Sequence, residues 1–188
     1  MTTPASAEDA LFADVLACDE VRPLAFLPGR EADPSGVAAS AEALLRALAV
    51  VEDGPRGDEP DAGGDHALPR IEAKIDLLTA LVASLCAQAG GDPPRRLRWS
   101  ARGACIEVPD APVPGTCGHL RVRPADWLPS PLQLPATVLA TGPGGEGAHR
   151  AWLRFDDLPA PLQAALERHL FRQHRRAVAE SRRPRQDF

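Results

Sequence analysis

Residues 68–89 read LPRIEAKIDLLTALVASLCAQA, and the rest of the chain is organised around the spacing of the apolar side chains in this stretch. Leu68, Ile71, Ile75, Leu78, Val82 and Leu85 are separated by alternating threes and fours, which places them on one seam of a helix. Pro69 suits a first helical turn, and Gly90-Gly91 with Pro93-Pro94 ends one. At 1.5 Å per residue the helix is roughly 30 Å long. Leu68, Ile75 and Val82 take the a positions of a heptad, and Ile71, Leu78 and Leu85 the d positions. No opposite charge lies three or four residues from Glu72, Lys74 or Asp76, so any partners sit on another helix. Leu77 and Leu81 widen the apolar face beyond a two-stranded seam. An amphipathic helix ordinarily packs on its own domain. Here the near-unbroken heptad and the widened face predict self-association.

Upstream, a helix over Val37–Val51, entered near Ser35, repeats the seam with Val37, Ala41, Leu44, Leu48 and Val51. Two such helices in succession predict a helical hairpin. The connection between them, residues 52–67, is acidic and rich in Gly and Pro, so it reads as a mobile loop that cannot offset the entropy of ordering. Before these helices, Ala7–Cys18 reads as a short helix with Leu11, Phe12, Val15 and Leu16 on one side. VRPLAFLPG then reads as an extended segment, punctuated by Pro23 and Pro28, that tucks against the main domain.

From Arg95 the period changes to two. RRLRWS alternates Leu97 and Trp99 with arginines, ACIEV sets Ile106 and Val108 on one face, and GHLRVR alternates Leu120 and Val122. Residues 133–141 place Leu134, Ala136 and Val138 alternately, with Pro135 suited to an edge or bulge. GPGGEG forms a hairpin tip and AWLRF returns. Short strands with turns at this spacing predict a small antiparallel barrel or sandwich. A last helix from Pro159 or Pro161 covers its open end with Leu162, Leu166, Leu170 and Phe171, and residues 179–188 form a basic tail.

The fold class is therefore α+β, a small antiparallel β-barrel with a C-terminal helix, preceded by long heptad-bearing helices that oligomerise. Its expected divisions are an N-terminal helix and extended segment (1–34), a helical hairpin or coiled coil (35–92), a barrel with its closing helix (93–178) and a tail. With only 4 % aromatic residues and 20 prolines among 188 residues, the compact core is smaller than the length suggests. MTTPASAEDA lacks the features of a secretory signal, and the apolar run at 77–87 is too short to cross a bilayer. Cys18, Cys86, Cys105 and Cys117 form no C-x-x-C pair and read as reduced thiols of a cytoplasmic protein.

Gly142 to Gly147 match G-x-G-x-x-G, but that pattern needs a helix directly after it, and here a strand follows. His66, His119, His149, His169 and His174 lack metal-ligand spacing. Asp156-Asp157, at the junction of strand and helix, reads as a helix cap. No nucleophile motif or acid-base pair is arranged for catalysis, so neither an enzyme nor a metal or other cofactor is expected. Arg95, Arg96 and Arg98, with the C-terminal arginines, suit an anionic partner. Nucleic-acid binding would need interleaved aromatics or a reading element, and neither is present.

From Arg95 to about Val178 the chain resembles the PilZ domain, a small β-barrel family that binds cyclic di-GMP. RWSARGACIEV is similar to the family's [D/N]-x-S-x-x-G strand entry, and AWLRFDDL with LERHLFRQHRR to its final strand and closing helix. The preceding RIEAKIDLLTALVASL makes the chain most similar to the atypical subgroup in which long helices assemble a tetramer. Ser100 and Gly103 occupy the matching Ser and Gly. Arg98 stands where the pattern has Asp or Asn, and a donor-only guanidinium cannot accept hydrogen bonds from a guanine edge. The R-x-x-x-R motif is missing upstream; Arg70–Lys74 has comparable spacing but lies in the heptad helix.

The resemblance implies a non-enzymatic homotetrameric adaptor in cyclic di-GMP signalling, with a degenerate nucleotide site and protein partners. The competing reading is a sensor that binds cyclic di-GMP through Arg95, Arg96, Arg98, Ser100 and Gly103 by a non-standard geometry.

Overall fold

The computed structural model describes residues 2–29, 34–52, 71, 74, 75, 77, 78, 91–125, 128, 130–145 and 147–181. The loop after Glu52, the seam positions Leu68, Val82 and Leu85, Cys86 and residues 182–188 lie outside them.

Six strands close a barrel: β1 (Cys18–Pro28), β2 (Pro94–Trp99), β3 (Gly103–Val108), β4 (Cys117–Val122), β5 (Leu132–Pro143) and β6 (His149–Phe155). Their order around it is β1-β2-β3-β6-β5-β4, and every neighbouring pair is antiparallel. The alternation read from the sequence fills the interior with Leu97, Trp99, Ile106, Leu120, Val122, Leu134, Val138 and Leu153, all buried. Each such side chain contributes about 1.5–3 kcal/mol by leaving water.

The segment expected to lie beside the barrel is one of its staves. β1 pairs with β2 through Cys18–Pro23 and with β4 through Leu24–Pro28, so residues of the 1–34 division complete the sheet. Pro23 and Pro28 obscured this in the sequence, because proline removes a ladder donor. Pro135 also lies in a closed sheet, but β6 pairs with β5 only from Ala136 onward. Its carbonyl accepts instead from the Asp156 N–H.

Helices pack against the barrel. α1 (Pro4–Phe12) is capped by the Thr3 hydroxyl, which accepts from the Ser6 N–H. It stops six residues short of the expected end, because Ala13 is extended and Asp14 turns into the left-handed region at φ 57°. Of the expected seam Val37, Ala41, Leu44, Leu48 and Val51, α2 (Pro34–Glu52) buries Ala41 and Leu48 and packs Leu44 partly buried against the core, while Val51 is exposed and Ala38 and Leu45 join the buried side. Its first turns join the barrel core through Ala38, Ala41 and Leu45.

α3 (Ala160–Ser181) plugs the barrel with Leu162, Ala165, Leu166 and Leu170, as its spacing predicts. Phe171 does not join them: it is 55 % exposed and points away from the core. Glu52, almost fully buried, clasps α2 to α3 by accepting from Arg172 Nε and Arg176 Nη1. Asp156 does not cap α3. Its carboxylate accepts from the Thr137 hydroxyl and from Arg154, tying β5 to β6.

Residues 71, 74, 75, 77 and 78 are helical. Leu77 is buried with Ala47 and Leu48 of α2 and with Ala125 and Leu128 of the β4–β5 connection.

Candidate functional site

A β-bulge prepares the outer face of the barrel. Val138 faces Leu153 inside, but the register shifts after it, so that Ala140 faces Trp152 and both lie on the outside. The resulting apolar patch is covered by Ala7, Leu11 and Phe12 of α1. Glu8 fixes the helix there: one carboxylate oxygen accepts from Trp152 Nε1 at 2.6 Å and the other pairs with Arg98 Nη1. The Arg98 guanidinium also lies 4.7 Å above the Phe12 ring.

The same helix closes over the S-x-x-G turn. Ser100 is fully buried; its hydroxyl donates to the Leu11 carbonyl at 2.7 Å and accepts from the Arg102 N–H. Arg102 Nη1 donates to the Ala13 carbonyl. A Cβ on Gly103 would stand 2.1 Å from the Leu153 carbonyl oxygen and 2.7 Å from Leu11 Cδ2, so only glycine allows both approaches. In this chain Ser100 and Gly103 hold α1 and β6 against the β2–β3 turn.

The arginines read together in the sequence are divided. Arg96 and Arg98 border a depression of about 530 Å³ on the outer face, whereas Arg95 borders another, with Leu24, Phe26 and Pro109. Period-two alternation along β2 separates them. Around the first depression Arg96, Arg98 and Arg150 face Glu8, Asp19, Glu20 and Glu107. Carboxylates balance the guanidinium charge, so no cationic field is focused there. Burial pushes the Cys105 thiol up to about 12, with Glu8 adding to the shift, so it stays protonated at neutral pH. Among the described residues, no group of three or more His, Cys, Asp or Glu could hold a metal ion.

A second candidate surface lies on the heptad helix. Ile71, Ile75 and Leu78 are 54, 55 and 59 % exposed, while Leu77 is buried inside its own chain. At the described positions the helix therefore turns Leu77 toward the domain and Ile71, Ile75 and Leu78 outward. Three large aliphatic side chains on one stripe are the usual mark of an interaction surface.

Sequence reasoning missed the role of α1. The available signals were Trp152, whose indole N–H needs an acceptor when its ring is buried, and Glu8, an acid on the polar side of α1. It also missed that His169 is fully buried. That ring packs edge-on against Trp99, with centroids 5.7 Å apart.

The family described as atypical PilZ domain, cyclic di-GMP receptor, matches residues 45–183. A tetrameric PilZ domain from Xanthomonas campestris, self-assembled via an unusual helical bundle, is 40 % identical, with a TM-score of 0.76 over 94 % of this chain and 97 % of that one. YcgR from Escherichia coli in complex with c-di-GMP is 18 % identical, with a TM-score of 0.41 over 47 % of this chain and 38 % of that one. No curated protein matches the chain. No helix among the described residues is long and apolar enough to cross a membrane.

Proposed function

Starting from the fact that this chain belongs to the atypical PilZ domain family, we propose that it is a non-enzymatic adaptor of cyclic di-GMP signalling in the cytoplasm. Its chains associate as a homotetramer through the helix at residues 68–85, and its partners are proteins. The observation that carries this reading is the outward seam of Ile71, Ile75 and Leu78 beside an inward Leu77. Burying one such aliphatic side chain against a partner contributes about 1.5–3 kcal/mol, and a bundle repeats that gain in every chain. The self-assembly of the Xanthomonas relative through a helical bundle supports the same use here.

Nucleotide binding at the S-x-x-G turn is weak or absent in this reading. Ser100 already donates to Leu11, Arg98 is held by Glu8, and α1 occupies the space above both. A ligand carrying two phosphates would also meet four carboxylates for three arginines. The alternative is a sensor that binds cyclic di-GMP through the 95–103 segment by a non-standard geometry, and the grouping of Arg96 and Arg98 with Arg150 at one depression favours it.

Sedimentation velocity at micromolar concentration tests the assembly; a species of monomer mass alone refutes it. Calorimetry with cyclic di-GMP separates the two readings. Tight binding that is lost in Arg96→Ala supports the sensor and removes the degenerate site from the proposal.

A further inference from the structure

The outer face of α3 carries a stripe that the barrel does not use. Arg168, Phe171 and Arg175 follow one another at intervals of three and four, so they project from one side of the helix. They border a groove of about 620 Å³ floored by Val15 and Leu16 of the α1–β1 connection. Phe171 is more than half exposed in it. Arg172, at the groove's edge, is committed to Glu52. Among the described residues, no carboxylate pairs with Arg168 or Arg175. The single acid of the groove, Glu167, accepts from Gln163.

We propose that this groove docks an acidic segment of a partner protein, with an apolar side chain seated on Phe171 and carboxylates meeting Arg168 and Arg175. Charge complementarity selects that occupant. Arg168 and Arg175 leave the helix two turns apart, about 10 Å along its axis. A partner helix with acids at that spacing and a Leu or Phe between them matches both ends and the middle. Arginine and aromatic residues are the types that concentrate binding energy at such surfaces. A long polyanion fits poorly, because the chain carries a net charge of −5. None of the residues that border the groove belongs to the heptad seam.

Fluorescence anisotropy with the full chain tests the assignment. The probes are a fluorescein-labelled helical peptide of Glu, Ala and Leu, with Glu seven residues apart around a central Leu, and its twin with Lys for Glu. The Glu peptide is expected to bind at low salt and the Lys peptide not. Arg168→Glu with Arg175→Glu, and separately Phe171→Ser, should each weaken binding at least tenfold without changing the melting temperature or the sedimentation coefficient. Absence of binding, equal binding of the Lys peptide, or unaltered binding to the variants overturns the proposal. A changed sedimentation coefficient in the variants assigns the groove to a second copy of the chain instead. Displacement of the peptide by stoichiometric cyclic di-GMP assigns it to the nucleotide.

Discussion

Glu8 and Trp152, 144 residues apart in sequence, are joined by a 2.6 Å hydrogen bond that fastens the first helix to the last strand of the barrel. The other oxygen of the same carboxylate holds Arg98, so one side chain serves two donors that are both partly buried. Glu8→Ala leaves the indole N–H and the guanidinium without that acceptor. The expected loss is about 1–3 kcal/mol, read as a lower denaturant midpoint with unchanged slope. Amide exchange in residues 4–13 should rise more than in the barrel strands. Uniform exchange across both would show that α1 is not fastened this way.

Ile75→Glu and Leu78→Glu place charges on the outward seam. Both positions are exposed within the chain, so the barrel should keep its melting temperature while the sedimentation coefficient drops to that of a monomer. Leu77→Ala is the contrasting variant. It should lower stability by about 2–5 kcal/mol, because Leu77 packs under α2.

Gly103→Ala should be among the most damaging single substitutions in the protein. The added Cβ meets a backbone carbonyl of β6 at 2.1 Å, and no rotamer relieves a backbone clash. A loss of about 3 kcal/mol or more is expected in urea melts. Gly29→Ala, with open space around its Cβ, suffers only the strain of φ 123° and should cost about 1–2 kcal/mol.

Burial, reinforced by Arg172, Arg22 and Arg176, pushes His169 down to about 3 from an ordinary 6.5. The folded chain refuses a proton that the unfolded chain accepts below pH 6.5. This contribution to stability is constant above that pH and shrinks as pH falls toward 3, by about 1.4 kcal/mol per unit. His169→Leu should flatten the stability profile between pH 6.5 and 4, relative to the parent, in chemical melts at half-unit steps. An unchanged profile would mean that His169 protonates readily in the fold.

The barrel was legible because the large apolar residues of β2 to β5 recur at every second position and the turns carry Gly and Pro. Leu134, Ala136 and Val138 needed no tertiary information to be placed inside. β1 was not legible as a stave. Two prolines interrupt it, and its partners lie beyond the helices. The Ser100 and Gly103 pair was found from its motif, but the motif does not say what fills the hydroxyl's valence. Leu11 does, and only the docking of α1 reveals it. Arg95 and Arg96 look equivalent on paper, and one step along a pleated strand parts them. Phe171 stood beside the apolar register of α3 in sequence; at about 100° per residue it is turned away from Leu166 and Leu170, which face the barrel mouth.

β1 pairs Cys18 with Trp99 and Leu24 with Val122, so residues 29–93 are spliced between two neighbouring staves. During synthesis the first stave leaves the ribosome long before either partner exists, and contacts of such long sequence separation form slowly. Until residues 94–99 and 117–122 have been made, the nascent chain therefore carries its first stave as an unpaired edge, open to pairing with other chains.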